Sequence, residues 1–123
     1  MYYVTHTPEF EELFLKTLSS VQQRKVRNLI EKQLLNNPYV GDHLGRPFFR
    51  EKRVKEKRVY FLIYEKLKSV LLVSISDKKT QQITIDDIQD DLEIYSAFIV
   101  ERLKQRGTPF YQQTPSNSEQ SGQ

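Results

Sequence analysis

Two apolar runs separated by a short polar segment constrain the fold of this 123-residue chain more than any other feature. Residues 59–64 read VYFLIY and residues 70–75 read VLLVSI, and both contain the β-branched and aromatic side chains that strands favour. The stretch from Arg58 to Glu65 is almost continuously apolar, which indicates a central strand covered on both faces. Residues 66–69 between the two runs predict a tight hairpin, so the two strands are expected to pair.

The N-terminal third predicts a strand followed by two helices. Residues 1–7 include the β-favouring sequence Tyr-Tyr-Val, and Thr7-Pro8-Glu9 is a helix-start signal. Ser20 and Gln23 have the spacing of a capping box for a second helix, which is expected to end at the Asn-Asn-Pro sequence of residues 36–38. Two such helices joined by a short turn form an antiparallel hairpin.

The remainder of the chain predicts three strands and one more helix. Strands are expected at residues 48–54, 58–65 and 70–76, and Thr84 is expected to cap the last helix. The predicted order is β-α-α-β-β-β-α, an α+β fold in which a small antiparallel sheet packs on the N-terminal helical hairpin. We expect one domain over residues 1–106 and a disordered polar tail over residues 107–123.

Composition and missing motifs exclude several classes of protein. The sequence has no cysteine, so disulfides and thiolate metal sites are excluded. No apolar run approaches the length of a membrane span and no signal-peptide pattern is present, which predicts a cytoplasmic protein with no membrane partner. The sequence also lacks a glycine-rich phosphate loop, a Ser-His-Asp arrangement and a His/Asp metal cluster. We therefore expect no metal and no small-molecule cofactor.

Positive charge is concentrated in the middle of the chain. Residues 46–79 contain eleven lysines and arginines against four acids, a net charge of +7, although the whole chain carries only +3. Residues 85–106 contain three basic residues against six acids, a net charge of −3. A positive region of this kind predicts an anionic partner.

The basic residues follow strand periodicity. Arg50 and Lys52 are expected on one face of their strand, with Glu51 and Arg53 on the other. Lys57 and Arg58 begin the next strand, and residues 78–79 follow the strand after that, so cations from three neighbouring segments can converge on one groove. Each well-formed phosphate contact there would contribute about 1.5–3 kcal/mol. The alternative is a solvated sheet edge whose lysines protect it against edge pairing.

Residues 1–105 resemble the RelE/ParE superfamily of bacterial and archaeal toxins in their order of elements. The similarity extends to three stretches and is greatest to archaeal RelE-like members: Arg50-Glu51-Lys52-Arg53, Lys57-Arg58-Val59-Tyr60 and Ser76-Asp77-Lys78-Lys79-Thr80-Gln81-Gln82. The resemblance implies a sheet packed on a helical hairpin, a cognate antitoxin that neutralises the toxin, and ribosome-dependent cleavage of mRNA. In that reaction the ribose 2′-hydroxyl attacks the adjacent phosphate and basic side chains stabilise the developing charge. ParE-type members keep the fold but poison DNA gyrase.

The resemblance also implies the site residues. The family's strand lysines match the segment of Arg50, Lys52 and Arg53, and its late basic residue matches Lys78. Phe61 replaces the arginine of the family's Tyr-Arg-Leu-Val-Tyr pattern, with Arg58 as the nearest substitute, and Thr84 stands near the position of a late tyrosine. Catalytic roles, including that of a general base for a lysine, are predicted for Lys52, Arg53, Lys57, Arg58 and Lys78. RNA-binding roles are predicted for Arg46, Arg50, Lys55, Lys79 and Gln82.

Three functions are compatible with this sequence. The first is a RelE-like mRNA endonuclease, with an antitoxin, the ribosome and mRNA as its partners. The second is a non-enzymatic binder, either a ParE-like gyrase poison or an inactive relative that retains antitoxin binding. The third is a general nucleic-acid-binding module that binds single strands unaided.

Overall fold

The computed structural model describes residues 1–106 of the chain. The elements confirm the predicted α+β class. In order they are β1 (Tyr3–His6), α1 (Pro8–Thr17), α2 (Ser20–Leu29), β2 (Asp42–His43), β3 (Phe49–Val54), β4 (Lys57–Tyr64), β5 (Ser69–Ser76), α3 (Gln81–Asp90) and α4 (Leu92–Arg106). A π-helical turn (Ile30–Leu34) continues α2, and a 3-10 turn (Glu65–Leu67) joins β4 to β5. The predicted tail, residues 107–123, lies outside the described residues.

The chain divides into two compact units. The first, Met1–Asp90, contains the sheet and the first three helices, and the second, which begins at Asp91, contains α4. Within the second unit, α4 has an acid, Glu93, in its first turn, and the guanidinium of Arg102 lies 5.2 Å from the centre of the Phe98 ring. Across residues 1–106 the helices fall short of the length and apolar content that a membrane crossing requires.

The sheet has five strands in the order β1-β5-β4-β3-β2. The pairings of β3 with β4 and of β4 with β5 are antiparallel, as the sequence predicts. The two-residue strand β2 was not predicted and pairs antiparallel with β3, whereas β1 pairs with β5 in parallel. The sheet is therefore mixed. The parallel pairing is possible because the helical hairpin follows β1 and supplies the long crossover that parallel strands require.

Strand β4 is buried on both faces, which confirms the predicted central strand. Val59, Phe61 and Ile63 belong to a core cluster that also contains apolar residues of α1 and α2, including Phe10 and Val26. Tyr60 and Leu62 point to the opposite face of the sheet and are fully buried as well. Helix α3 packs against β5.

Both N-terminal helices begin with side-chain caps. The backbone N–H of Phe10 donates to Thr7 Oγ1 at 3.1 Å, and Pro8 is the first residue of α1, as predicted. Helix α2 is capped one residue earlier than predicted. Ser19 Oγ accepts from the N–H of Gln22, and Gln22 Oε1 accepts from the N–H of Ser19, so the capping box is Ser19 with Gln22.

The predicted last helix is two helices, and Thr84 does not cap either of them. Asp77 Oδ1 accepts from both the backbone N–H and the hydroxyl of Thr80, so the turn that leads into α3 forms before Gln81. Thr84 lies inside α3, where its hydroxyl donates to the carbonyl of Thr80. Helix α3 ends at Asp90 and α4 begins at Leu92.

A cluster around Glu65 ties the N-terminus to the loop after α2. Glu65 accepts from the hydroxyls of Tyr2 and Tyr39, at 2.7 Å each, and forms an ion pair with Lys68. The Lys68 ammonium, followed by the two hydroxyls, lowers the pKa of Glu65 to about 2. The same contact with Glu65 raises the pKa of Tyr39 to about 12. Both effects favour a charged Glu65 beside neutral tyrosines.

Replacement of Glu65 should make the free energy of unfolding less dependent on pH in the acid range. A carboxyl whose pKa is lowered on folding stabilises the native state above its ordinary pKa, and this stabilisation is lost as the pH falls from 4.5 toward about 2. We expect Glu65→Gln to be less stable than the parent at pH 7 and to lose less stability over that interval. Urea unfolding across the interval measures this. Equal pH dependence of the two proteins would contradict it.

Candidate functional site

A cationic groove lies where the β3–β4 turn meets the segment after β5. Its cavity volume is about 620 Å³. Six cations and two acids line it: Arg53, Lys55, Glu56, Lys57, Arg58, Asp77, Lys78 and Lys79. Six of the ten residues predicted for the site are therefore brought together. An open depression with this excess of positive charge suits a phosphate-bearing ligand.

The strand register explains why these cations meet. Lys55 and Glu56 form the tight turn, and Val54 pairs with Lys57 at its base. One step further from the turn, Arg53 lies opposite Arg58, which in turn lies opposite Ser76 at the end of β5. Like charges directly opposite each other on a sheet are destabilising, and here the Glu51 carboxylate beside Arg58 offsets part of that repulsion.

Beneath the groove lies a buried polar cluster on the sheet face opposite α1 and α2. Arg58 Nε lies 3.7 Å from Glu51 Oε2, and both side chains are less than a tenth exposed. Gln81 Nε2 of α3 donates to both oxygens of Glu51, at 2.9 and 3.2 Å. The hydroxyls of Tyr60 and Ser76 are 2.8 Å apart. Arg58 therefore belongs both to this cluster and to the groove above it.

Tyr60 is neutral in this cluster. Burial raises the pKa of Tyr60 to about 12, and the nearby Glu51 carboxylate adds to the rise, whereas the hydrogen bond to Ser76 opposes it. Tyr60 is fully buried, so its hydroxyl serves the packing of the sheet. It does not line the groove.

One acid of the groove is held in its charged form. The backbone N–H of Thr80, followed by its hydroxyl, lowers the pKa of Asp77, and the Lys57 ammonium acts in the same direction. Asp77 thus caps the turn before α3 and lines the groove together with Lys57, whose side chain is half-buried.

Lys52 lies outside the cationic groove. The predicted alternation along β3 is confirmed, since Arg50 and Lys52 pair with Phe61 and Val59 on the α2 side of the sheet. Lys52 lines a second depression of about 370 Å³ between α2 and the end of β3. Its lining residues are Lys25, Asn28, Leu29, Lys52, Arg53, Val54 and Lys55. Arg53 and Lys55 therefore line both depressions.

Arg50 stabilises a loop. Its guanidinium donates to the carbonyls of Val40, Gly41 and Pro47, at 3.1–3.3 Å, and lies 5.9 Å from the centre of the Tyr39 ring. Gly41 has φ +74°, and a Cβ there would lie 2.3 Å from the carbonyl oxygen of Glu51. Glycine is therefore required where this loop approaches β3.

The two remaining predicted RNA-binding residues also lie away from the groove. The guanidinium of Arg46 is 5.9 Å from the centre of the Phe48 ring. Gln82 is exposed on α3, where its amide donates to Asp86 Oδ1 at 3.0 Å. Phe61, which stands where the resemblance implies an arginine, is fully buried in the core. Within residues 1–106, no group of three or more His, Cys, Asp or Glu side chains could hold a metal ion.

Sequence reasoning missed Lys25, and it missed that Glu51 and Gln81 contact each other. Glu51 was visible as the one acid within a basic strand on the same face as Arg53, which is a signal for a partner of Arg58. Gln81 had no such signal, because its contact with Glu51 spans 30 positions in the sequence. Lys25 reaches the site only through the packing of α2 beside β3.

Similarity to known proteins is found in structure. No protein-family model matches the sequence, and no curated protein matches it either. The isolated E. coli RelE toxin superposes with a TM-score of 0.56 at 13% identity, covering 72% of this chain and 99% of that one. The intact E. coli RelBE toxin–antitoxin complex superposes with a TM-score of 0.56 at 14% identity, covering 63% of this chain and 96% of that one. The Mycobacterium tuberculosis RelBE2 complex superposes with a TM-score of 0.55 at 20% identity, covering 63% of this chain and 98% of that one. At sequence identities of 13–20%, these superpositions show a shared fold.

Removal of Glu51 should destabilise the protein. Glu51→Ala leaves the buried Arg58 without its counter-charge and Gln81 without its acceptor, and breaking a buried ion pair costs about 3–5 kcal/mol. We expect a loss near the lower end of that range in the free energy of unfolding, measured with urea. Glu56→Ala, which removes an exposed acid from the same groove, is the control and should change stability by less than about 0.5 kcal/mol. Similar losses in the two variants would show that the Glu51–Arg58 pair does not stabilise the fold.

Proposed function

We propose that this chain, which has the fold of the RelE toxins, is the toxin of a type II toxin–antitoxin system and cleaves mRNA on the ribosome. The observation that supports cleavage most is the cationic groove, in which three neighbouring segments place six cations around one cavity. Such a groove can bind the phosphates of an RNA strand and stabilise the additional negative charge of a phosphoryl transition state.

The reaction that suits this groove needs no metal. The ribose 2′-oxygen attacks the adjacent phosphorus as a base removes its proton, and the bond from phosphorus to the 5′-oxygen breaks. The products are a 2′,3′-cyclic phosphate and a 5′-hydroxyl, whose proton comes from a neighbouring ammonium group. Cations that stabilise the charge of the transition state, together with general acid–base catalysis, can accelerate this cleavage strongly.

The geometry supports particular roles for the groove cations. We propose a lysine as the base, either Lys57 or Lys52, and Lys57 is the better placed of the two because it lines the groove, whereas Lys52 lines the second depression. Arg53, Lys78 and Lys79 are exposed and free to bind non-bridging phosphate oxygens. Arg58 is buried against Glu51 and contributes its charge from the floor of the groove.

The proposed function includes a protein partner and a cellular location. Two of the matching structures are toxin–antitoxin complexes, so we propose a cognate antitoxin for this chain. An acidic and apolar antitoxin segment laid over the basic end of the sheet would neutralise it by charge and by exclusion of RNA. The ribosome and mRNA are the proposed targets, and the cytoplasm is the compartment in which they meet the protein.

A non-enzymatic binder is the second candidate. The groove lining contains lysine, arginine and two acids, with no histidine or tyrosine among its described residues, and the family arginine is replaced by the buried Phe61. A ParE-like poison of DNA gyrase, or an inactive relative that binds an antitoxin, would need the fold and the charge but no base. This candidate predicts toxicity or antitoxin binding without RNA cleavage.

Neutralisation of the groove should abolish growth inhibition if the chain is a nuclease. The variant Arg53→Ala/Lys57→Ala/Lys78→Ala removes exposed or half-buried cations and leaves the buried Arg58 in place. Loss of one transition-state donor typically lowers a rate 10²–10³-fold, so three together should stop cleavage. Induced expression in a bacterial host measures growth, and primer extension on cellular mRNA locates the cuts.

The matched control removes the same number of charges elsewhere. Lys16→Ala/Lys32→Ala/Lys66→Ala changes exposed lysines that line neither depression, and it should remain toxic. Codon-phased cuts that disappear only in the groove variant support the endonuclease. Toxicity with DNA damage signalling and no mRNA cuts would instead establish the gyrase poison. If the groove variant remained fully toxic, the groove would be needed neither for mRNA cleavage nor for poisoning of gyrase.

A further inference from the structure

The second depression contains only positive charge. Lys25, Lys52, Arg53 and Lys55 line it together with Asn28, Leu29 and Val54, and no acid is among them. Within residues 1–106, Lys25, Lys52 and Lys55 have no hydrogen bond or ion pair to another side chain. The cationic groove, by comparison, includes Glu56 and Asp77. Four cations without a counter-charge in one concavity favour the binding of an anion.

Lys55 has a backbone conformation that glycine would adopt at lower cost. Its φ is +57°, in the left-handed region, and Lys68 is the only other non-glycine residue with positive φ within residues 1–106. Lys68 forms an ion pair with Glu65, which gives its side chain a structural use. Lys55 has no such partner. The turn places Lys55 at the wall between the two depressions, both of which it lines.

We propose that the second depression is a second phosphate-binding subsite for single-stranded RNA, continuous with the cationic groove through Arg53 and Lys55. This inference rests on the proposed function, since the strand it binds is the one that passes through the groove. It assigns a binding role to Lys25 of α2, beside Lys52. It also assigns to Lys52 the binding of a flanking phosphate rather than a catalytic role.

The lining residues indicate how the strand is bound. Lysine ammonium groups suit phosphate oxygens as point charges, and the Asn28 amide can donate to or accept from a ribose or base edge. Neither depression is lined by an aromatic side chain on which a base could stack. Binding should therefore depend on the backbone charge of the RNA, tolerate any sequence, and weaken steeply with salt.

Probe length separates the two subsites. We would measure binding of the purified full chain to fluorescein-labelled, 2′-O-methylated oligouridines, a tetranucleotide and a dodecanucleotide, by fluorescence anisotropy over a range of NaCl concentrations. Methylation removes the nucleophile and prevents cleavage. Each lost phosphate contact reduces the slope of the logarithm of the affinity against the logarithm of the salt concentration by about 0.7. This corresponds to about a fivefold loss of affinity at 0.1 M salt. Lys25→Ala should show this loss for the dodecanucleotide, which can occupy both depressions at once, and a smaller loss for the tetranucleotide, which can also occupy the groove without Lys25.

Two further variants complete the design. Lys32→Ala, the control, removes an exposed lysine of the same helical hairpin outside both depressions, and it should leave the affinity for both probes unchanged. Lys55→Gly relieves the strained φ, so its melting temperature should rise, while the affinity for both probes falls because Lys55 lines both depressions. Equal losses in Lys25→Ala and Lys32→Ala would overturn the proposal. So would a parent protein that binds the two probes equally well or binds neither.

The outcome is separable from that of the proposed function. A length-dependent effect of Lys25→Ala would stand even if primer extension found no cuts in cells. Conversely, codon-phased cuts that vanish in the groove variant would stand if Lys25→Ala bound the dodecanucleotide as tightly as the parent does.

Discussion

The pairing of β4 with β3 on one side and β5 on the other determines where every group of the site lies. Because strand side chains alternate, a one-residue slip of β3 would move Arg53 to the sheet face that packs on α1 and α2, and a one-residue slip of β4 would move Arg58 there. Apolar side chains on both faces of β4 do not distinguish one register from the other, but a slip of β4 would separate Arg58 from Glu51 and turn its guanidinium toward the apolar core. A bulge beside Tyr60 and Phe61 leaves Val73 of β5 unpaired. It lets Ser74 and Ser76 share a face with Tyr60 and Arg58 while Leu72 and Val70 stay in the core.

The site therefore has two layers with different chemistry. The outer layer consists of exposed or half-buried cations on the turn and after β5, whose mutual repulsion is screened by water and salt. The inner layer is a buried network in which Glu51, Arg58 and Gln81 satisfy one another. Only the inner layer can contribute much to stability, because exposed charges are worth little and buried unpaired ones are costly. The residues proposed to bind RNA and those that stabilise the fold are thus largely separate, with Arg58 in both sets.

Local signals predicted the elements well, and contacts distant in sequence were the main source of error. The Thr7 cap and the apolar strands follow from neighbouring residues, so the α+β class was predictable. Ser19 and Ser20 each have a glutamine three positions later, so spacing alone could not choose between the two capping boxes. The parallel pairing of β1 with β5 depends on a crossover that no local pattern specifies. Within the site, alternation correctly separated Lys52 from Arg53, but the approach of Lys25 depends on how α2 packs.

The Glu51 carboxylate gives Arg58 a resident counter-ion, and any ligand must compete with it. Glu51 partly neutralises the Arg58 guanidinium and keeps its own hydrogen bonds from Gln81, so an anion would gain less at Arg58 than at an unpaired cation. A single small anion would therefore gain little there. A polyanion held at the same time by Arg53, Lys57 and Lys78 would not depend on Arg58, because its further contacts are intramolecular once the first has formed. The buried acid would thus favour chains of charge over single ions.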